Sequence, residues 1–451
     1  MPKPRSFWGD MPIARDHILI RSCAIALAVR CAMLLCSGVA AAQGRDAAQG
    51  ENASQSEITA QAWGRCEGAD PDLSIAACSA LIQSGREDGE NQAVAFNNRG
   101  IAYANKGQHD QAIADFSKAI ELKADYAGAF NNRANAHSSR GEFDQAVADY
   151  NAAIRLKPDD ADAFNNRGNA LRATGQIDRA IADFGLSIQL KADNPGAYNN
   201  RGGAYADKGE FAQAIADFSK AIQLKPEYAE AFSNRGNAYS DSGQPDLAIA
   251  DYTQAIRLNP TDAGSFYNRG VSYLVKAELD QAIADFDQAI GLRPDLAEAF
   301  NNRGVAHHAR GEDDLAIADY SRAIQLKPNF AEAYNGRCFT RALAGQLELA
   351  LADCNLALVL RPNDPINFDR RGLVYLKMKN PDAALADYTS ALAINPKRAS
   401  SLYGRGLARQ MTGDATGAAL DIATAELIQP GIAGQFVKWG VTLTGPKRSE
   451  P

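Results

Sequence analysis

Residues 93–126 read AVAFNNRGIAYANKGQHDQAIADFSKAIELKADY, and residues 297–330 read AEAFNNRGVAHHARGEDDLAIADYSRAIQLKPNF in the same register. This 34-residue pattern occurs ten times between residues 93 and 432, without an insertion or a deletion. A fixed period of about 20–50 residues indicates a repeat architecture, in which each repeat packs only on its neighbours. We therefore expect an extended surface of stacked repeats rather than one central core around an active-site cleft.

Each repeat, with residue 93 as repeat position 1, contains the signals of two helices joined by a turn. Gly at position 15 ends the first helix, helix A, because glycine tolerates positive φ. Pro at position 32 stops the second helix, helix B, in eight repeats. Gly at position 8 in eight repeats and Ala at position 20 in all ten allow the two helices to approach closely. Aromatic residues at position 24, and at position 4 in nine repeats, fill the remaining space.

This order of an aromatic residue, a Gly, an Ala, a second aromatic residue, an Ala and a Pro resembles the tetratricopeptide repeat family over residues 93–432. The resemblance implies an all-α fold, a right-handed superhelical solenoid of antiparallel helix pairs with ten full repeats and capping helices. It also implies an extended concave surface that binds protein or peptide partners. The class of function is therefore indicated, whereas the identity of the ligand is not.

The segment of residues 1–42 has the layout of a secretory signal. Basic residues up to Arg30 precede a ten-residue apolar run, and three alanines offer a cleavage site before Gln43. One alternative is that Met11 is the true start. Another is a membrane anchor, although Arg30 breaks the apolar stretch and leaves it short for a span. We expect cleavage near Ala42, no integral membrane span in the remaining chain, and a periplasmic or secreted location.

Three further segments flank the repeats. Residues 43–60 are polar and rich in Ala, Gln and Ser, which predicts a flexible linker. Residues 61–92 are predicted to hold an N-terminal capping helix, a degenerate half-repeat that starts at Asp70 with a proline after it. Residues 433–451 are predicted to form a C-terminal capping helix and a tail, because residues 432–439 have helical apolar spacing.

Composition and motifs argue against several classes of function. The formal net charge is −7, and an acidic chain disfavours nucleic acid, whose binding is driven by Lys and Arg. His307 and His308 are the only adjacent histidines, and no cysteine or carboxylate has metal-ligand spacing to them. The segments outside the repeats are too short for a catalytic domain. We therefore predict a protein that is not an enzyme, with no catalytic residue, metal or cofactor.

Two charged positions recur in all ten repeats, Arg at position 7 and Asp at position 23. We interpret them as a partly buried ion-pair ladder that fixes the register of the helices, because the matched aspartates leave no spare positive charge. The alternative is a row of anion-binding arginines. The arginines are Arg99, Arg133, Arg167, Arg201, Arg235, Arg269, Arg303, Arg337, Arg371 and Arg405. The aspartates are Asp115, Asp149, Asp183, Asp217, Asp251, Asp285, Asp319, Asp353, Asp387 and Asp421.

Asparagine recurs at position 6, on the face of helix A opposite the packed positions 4, 8 and 11. The residues are Asn98, Asn132, Asn166, Asn200, Asn234, Asn268 and Asn302. Because a carboxamide both donates and accepts, such a row suits the backbone of an extended ligand. It resembles the asparagine ladder of O-linked N-acetylglucosamine transferases. The alternative is that these side chains bond locally or to water and were copied by repeat duplication.

The same face becomes apolar in the later repeats. Apolar side chains on an open surface predict a binding patch. Its residues are Val271, Leu274, Phe339, Leu343, Leu373, Leu376 and Leu407. The alternatives are closure of the superhelix on itself and dimerisation through this patch.

Four cysteines follow the predicted signal. Cys338 and Cys354 replace the Gly of position 8 and the aromatic residue of position 24 in one repeat, where helices A and B touch. Two packed positions replaced together predict a disulfide. Cys66 and Cys78 can pair likewise and staple the N-terminal cap. The cysteine-bearing cap and repeat resemble exported tetratricopeptide proteins of alphaproteobacteria; the alternative is four small buried thiols.

Together these patterns favour a non-catalytic scaffold of the cell envelope that binds an extended protein or peptide segment along its concave groove. The expected partner is a protein or peptide and not a nucleic acid. The alternative function is a carrier or chaperone that holds an apolar ligand or unfolded segment in the C-terminal half of the groove.

Overall fold

The computed structural model describes residues 55–441. The predicted signal segment 1–42, most of the predicted linker and the predicted tail after Val441 lie outside the described residues. Within the described range the chain forms 23 α-helices and no strand. None of these helices has the length and apolar character needed to cross a membrane. The chain divides into an N-terminal body, up to Ala238, and a C-terminal body that begins at Tyr239.

The helices follow the repeats in chain order. Before the repeats stand α1 (Gln55–Cys66) and α2 (Pro71–Ser84). Repeats 1–4 consist of α3 (Gly89–Asn105), α4 (His109–Leu122), α5 (Ala127–Ser139), α6 (Phe143–Leu156), α7 (Ala161–Ala173), α8 (Ile177–Leu190), α9 (Pro195–Asp207) and α10 (Phe211–Leu224). Repeat 5 consists of α11 (Ala229–Asp241), which contains the boundary between the bodies, and α12 (Pro245–Leu258).

The C-terminal body continues the same alternation. Repeats 6–10 consist of α13 (Ala263–Val275), α14 (Leu279–Leu292), α15 (Ala297–Arg310), α16 (Asp313–Leu326), α17 (Ala331–Leu343), α18 (Leu347–Leu360), α19 (Pro365–Lys377), α20 (Pro381–Ile394), α21 (Ala399–Thr412) and α22 (Ala415–Ile428), and α23 (Ile432–Lys438) follows them. Within each body, consecutive helices pack on one another, most extensively as the A and B helices of one repeat. The predicted all-α solenoid of helix pairs is therefore confirmed.

Close approach of helices A and B explains the glycine at position 8. A Cβ atom on Gly100 would lie 2.6 Å from Cε1 of Phe116, and one on Gly168 would lie 2.6 Å from Cε1 of Phe184. Ala112, at position 20 of the first repeat, has no exposed surface. Protein interiors pack without spare volume, so larger side chains at these positions would force the helices apart.

The turn between helices A and B requires a left-handed residue at position 15. Eight repeats have Gly there, with φ between 72° and 93°. Ala277 and Lys379 take this position in repeats 6 and 9, with φ of 60° and 58°. The left-handed conformation costs a residue with a Cβ atom about 1–2 kcal/mol. The geometry of the turn is therefore imposed by the repeat, and two repeats adopt it at an energetic cost.

The N-terminal cap is larger than the half-repeat predicted for residues 61–92. Helix α1 begins inside the predicted linker and packs on α2, so a complete helix pair precedes the first repeat. Cys66 of α1 joins a buried cluster with Cys78, Leu81 and Ala95. Ala62 and Trp63, which share a face of α1 with Cys66, pack against the same cluster, so α1 is held by an apolar face as well as by its cysteine.

Candidate binding surfaces

A bidentate ion pair joins the two helices of a repeat. In repeat 1, Arg99 Nε donates to Asp115 Oδ2 at 2.7 Å and Nη2 donates to Oδ1 at 2.8 Å. The hydrogen bond to Asp115 raises the pKa of Arg99. The same pairing is present in Arg133–Asp149, Arg167–Asp183, Arg201–Asp217, Arg269–Asp285, Arg303–Asp319, Arg337–Asp353, Arg371–Asp387 and Arg405–Asp421.

The guanidinium groups of this ladder are enclosed on several sides. Cζ of Arg99 lies 5.3 Å from the ring centroid of Phe96, the aromatic residue at position 4. Nη1 of Arg133 donates to Oγ of Ser117 in the preceding repeat at 2.9 Å. Only 18% of the Arg99 side chain and 22% of the Arg133 side chain are exposed, and the guanidinium donors are engaged by internal acceptors rather than left for an anionic ligand. The geometry therefore supports the structural interpretation of the ladder.

Polar residues at position 25 link neighbouring repeats, a role that periodicity alone does not assign. Asn151 Oδ1 accepts from Arg167 Nη1 at 2.7 Å, and Thr253 Oγ1 accepts from Arg269 Nη1 at 3.0 Å. The sequence signal that could have revealed this role is a polar residue directly after the aromatic residue of position 24. These bonds fix a helix A on the helix B before it wherever position 25 supplies an acceptor, which Gly185 does not do for Arg201. In those repeats the arginine sets register between repeats as well as within one.

The asparagines of position 6 also make contacts between repeats. Asn132 Nδ2 donates to Asn97 Oδ1 at 3.0 Å, and Asn200 Nδ2 donates to Asn165 Oδ1 at 3.0 Å. Both acceptors occupy position 5 of the preceding repeat. Local bonding, the alternative to ligand binding, is therefore present. A carboxamide has two N–H donors and an acceptor oxygen, so one such bond leaves capacity for a ligand.

Accessibility divides the seven asparagines into two groups. Asn98, Asn132, Asn166, Asn200 and Asn234 are half-buried and lie in the N-terminal body. In the C-terminal body, Asn268 is 4% exposed and Asn302 is fully buried, with Nδ2 of Asn302 donating to the Tyr267 hydroxyl at 3.1 Å. The expectation that Asn268 and Asn302 lie on an open face is corrected, because they lie beside a buried cluster of aromatic and apolar side chains, and their contact with a ligand stays a prediction.

The end of the asparagine row has a steric cause in repeats 8 and 10. A Cβ atom on Gly336 would lie 2.7 Å from Cζ of Tyr320, and one on Gly404 would lie 2.2 Å from Cζ of Tyr388. Each tyrosine belongs to helix B of the preceding repeat. Its ring occupies the space that an asparagine side chain needs, so glycine replaces asparagine there.

The predicted apolar patch is interior rather than open, so the expectation of an exposed face is corrected, whereas ligand binding by these residues stays a prediction. Leu274 is fully buried, Leu373 is 3% exposed and Phe339 is 8% exposed. One core cluster contains Val271 and Leu274, and another contains Phe339, Leu373, Leu376 and Leu407, with Leu343 packed against it. Apolar side chains of this size meet one another across successive A helices, so they exclude solvent from their own face.

The C-terminal segment, residues 432–441, covers the second of these clusters. Phe436 is buried within it. The ring of Trp439 lies 5.3 Å from the ring of Phe339, edge to face. Lys377 Nζ donates to the main-chain carbonyl of Trp439 at 2.6 Å, and burial lowers the pKa of this lysine. The segment therefore closes the helix A face of repeats 8–10.

Polar residues beside this cluster are held by internal contacts. Arg370, which replaces the asparagine of position 6 in repeat 9, lies with Cζ 3.9 Å from the ring centroid of Phe339. His308 packs against the same ring and is hydrogen-bonded to Asp313 at 2.7 Å. Burial lowers the pKa of His308. With Tyr320 these groups line a small cavity that belongs to the closed interior.

Both predicted cysteine pairs lie at disulfide-bonding distance. The Cα atoms of Cys66 and Cys78 are 4.8 Å apart, and those of Cys338 and Cys354 are 5.4 Å apart. All four residues are buried. The first pair joins α1 to α2, and the second joins the A and B helices of repeat 8.

The histidines of position 11 have carboxylate partners. His137 Nδ1 and His307 Nδ1 each lie 2.6 Å from a glutamate Oε2, in Glu142 and Glu312 respectively. Within residues 55–441, no group of three or more His, Cys, Asp or Glu side chains is arranged to hold a metal ion. These histidines therefore act as local hydrogen-bonding groups at the end of helix A.

The paired helices and their repeating contacts define an α-helical repeat scaffold. Models of the tetratricopeptide repeat match residues 93–126, 229–262, 297–330 and 370–398, and a further model matches residues 251–284. A model of the TPR repeat matches residues 138–172, 168–209, 202–243 and 277–311. These matches together cover more than half of the sequence. The chain belongs to the tetratricopeptide repeat family.

Several solved structures are similar to parts of the chain. The crystal structure of YrrB, a TPR protein with an unusual peptide-binding site, is 26% identical, with 41% of this chain and 95% of that chain covered and a TM-score of 0.36. MamA is 26% identical, with coverages of 38% and 94% and a TM-score of 0.35. The Cut9–Hcn1 hetero-tetramer of the APC/C is 13% identical, with coverages of 82% and 92% and a TM-score of 0.47. No curated protein matches the chain.

Proposed function

We propose that the protein is a non-catalytic scaffold of the cell envelope that binds an extended protein or peptide segment along the helix A face of its N-terminal body. The observation that carries this proposal is the row of five half-buried asparagines, Asn98, Asn132, Asn166, Asn200 and Asn234. Each presents a carboxamide that keeps hydrogen-bonding capacity beyond its contact with a neighbouring asparagine.

The spacing of the row fits an extended main chain. Such a chain advances about 3.3 Å per residue, and adjacent packed helices lie roughly 8–10 Å apart. One asparagine then meets the ligand about every three residues, and five of them span about fifteen residues. Each bond contributes about 0.5–1.5 kcal/mol, so the affinity is distributed along the row and depends little on ligand sequence.

The two bodies differ in which helix A side chains are exposed and can contact a ligand. In the N-terminal body the asparagine row is flanked by Asn135 and Asn169, which are exposed at position 9 of their repeats. In the C-terminal body position 9 has Val271, Val305 and Leu373, which are buried. The alternative function, a carrier of an apolar ligand in the C-terminal half, therefore lacks an open surface in this conformation.

The proposed envelope location is supported by the two cysteine pairs, because disulfides persist in oxidising compartments such as the periplasm. Cell fractionation and N-terminal sequencing of natively expressed protein test it. The expected mature N-terminus is Gln43 in the envelope or secreted fraction. A full-length chain in the cytoplasm would refute the location while leaving the binding surface untouched.

Two matched double variants test the asparagine row. Asn200→Ala with Asn234→Ala removes two ligand-facing carboxamides together with their bonds to Asn165 and Asn199. Asn165→Ala with Asn199→Ala removes the same two inter-repeat bonds, together with the bonds that Asn165 donates to Asn166 and Asn199 donates to Glu230, and keeps the ligand-facing groups. We expect only the first variant to weaken binding, by about 1–3 kcal/mol if the two contributions add.

The ligands for this test are peptides selected from a random display library on the wild-type chain, with affinity measured by titration calorimetry. Equal losses in the two variants would mean that the inter-repeat bonds matter and the ligand does not touch the row. No loss in either variant would place the binding site elsewhere. Either result would refute the proposed surface.

A further inference from the structure

The C-terminal segment begins as helix A of an incomplete eleventh repeat and then departs from that pattern. Phe436 stands at position 4, where nine of the ten repeats have an aromatic residue. Trp439 stands at position 7, where all ten repeats have Arg. Gly440 then turns the chain with φ of 76°. No helix B follows up to Val441, where the described part of the chain ends.

A segment that only caps the last repeat needs contacts with repeat 10 alone, because each repeat packs on its neighbours. Phe436 supplies them, since its ring lies 4.8 Å from the ring of Tyr403. Trp439 instead contacts Phe339, which lies 100 residues earlier in repeat 8. Its carbonyl accepts from Lys377 of repeat 9. The contacts of Trp439 therefore go beyond what a cap needs.

The surface under the segment has the features of a peptide-binding site. Phe436 and Trp439 are three residues apart, with ring centroids separated by 4.9 Å, and pack in a cluster with Leu373, Leu376 and Leu407. Buried aromatic anchors carry most of the binding energy at protein interfaces. A bond from a lysine ammonium to a main-chain carbonyl fixes the direction of the bound chain and does not depend on its sequence.

The shortness of the C-terminal segment favours its local opening. Its helix has only seven residues, and isolated helices shorter than about 12–15 residues are marginal in water. Val437, between the two aromatic anchors, is 56% exposed. Although Ile432 and Phe436 are buried, a short element of this kind can open locally without unfolding of the elements beneath it.

We propose that the surface formed by α17, α19 and α21 is a docking site for a peptide with aromatic side chains at positions i and i+3, and that the C-terminal segment occupies this site in cis. A tethered segment competes at an effective concentration on the order of millimolar. The site is therefore closed to ligands in trans until Trp439 is withdrawn. This site lies within the C-terminal body and is independent of the asparagine row.

The test uses the full chain and a fluorescent peptide of sequence IAGQFVKWGV, which corresponds to residues 432–441. Trp439→Ala removes the anchor of the tethered segment, and Val437→Ala is the matched control on the exposed side of the same helix. We expect Trp439→Ala to bind the peptide at least about tenfold more tightly than the wild type or Val437→Ala, because the competitor is weakened. Adding Phe339→Ala to Trp439→Ala should abolish the gain.

Equal peptide affinity for the wild type and both single variants would overturn the proposal, as would the absence of binding to a Trp439→Ala chain that melts like the wild type. Hydrogen exchange on the wild-type chain gives a second measurement that needs no variant. Amides of 436–441 should exchange at least about a hundredfold faster than those of 402–407, because the segment opens alone. Exchange of both stretches at one common rate would contradict a displaceable segment.

Discussion

Ala277 and Lys379 show how a repeat imposes its geometry on single residues. Both occupy the left-handed turn position that Gly fills in eight other repeats. The surrounding helices pack through positions that these two repeats share with the rest, so the turn keeps its conformation even without glycine. The position of the turn follows from the sequence period, whereas the conformation at these two residues follows from the packing of the helices that the turn connects.

Replacing Ala277 with Gly should stabilise the C-terminal body by about 1 kcal/mol, because it relieves the left-handed strain. The measurement is the shift in the urea midpoint of that body. Gly243→Ala at the equivalent turn is the reciprocal control and should destabilise by a similar amount. A loss of stability in Ala277→Gly would show that unfolded-state entropy outweighs the strain.

The buried ion pairs should respond differently to single and double replacement. Asp183 is 5% exposed, so Arg167→Leu alone leaves an uncompensated buried carboxylate and should cost about 3–5 kcal/mol. Arg167→Leu with Asp183→Leu should cost less than the sum of the two single changes. The exposed pair Lys118–Glu121 is the control, and its removal should cost less than about 1 kcal/mol. A double-mutant cycle from urea unfolding measures both.

At the scale of helices, the fold could be predicted because its signals are local and recur every 34 residues. The turn glycine and the Arg–Asp pair lie within one repeat. The accessibility of helix A was not predictable in the same way. Whether Asn302 or Leu373 faces solvent depends on side-chain sizes in other repeats, and on Trp439 contacting a residue 100 positions away. That contact has no counterpart in the 34-residue period.

Two leucines of repeat 10 test directly whether the predicted apolar patch is buried. Leu407 of α21 is 3% exposed, and Leu427 of α22 is 84% exposed. Leu407→Ala should destabilise the C-terminal body by about 2–5 kcal/mol, since it leaves a cavity. Leu427→Ala should change stability by less than about 0.5 kcal/mol. If urea unfolding shows that both changes are equally mild, Leu407 lies on an open face as the sequence suggested.

At the scale of the whole molecule, stability in a repeat protein is approximately a sum over repeats and the interfaces between neighbours. A constraint at the end of such an array acts mainly on the terminal elements, while a constraint inside it acts on repeats on both sides. The two cysteine pairs differ in this respect. Cys66–Cys78 lies in the cap that precedes repeat 1, and Cys338–Cys354 lies in repeat 8, with neighbours on both sides.

Non-reducing peptide mapping of protein isolated from its native cells should find both pairs linked and no free thiol among these four cysteines. The two loops are of similar length, so the chain-entropy contribution of each disulfide should be about 3 kcal/mol. Removal of each disulfide should nevertheless affect a different part of the chain. Cys66→Ala with Cys78→Ala should accelerate hydrogen exchange in α1 and α2 alone, because a terminal pair can open without its neighbours. Cys338→Ala with Cys354→Ala should lower the urea midpoint of the whole C-terminal body. Four alkylatable thiols in the native protein would instead identify the cysteines as packed, reduced side chains.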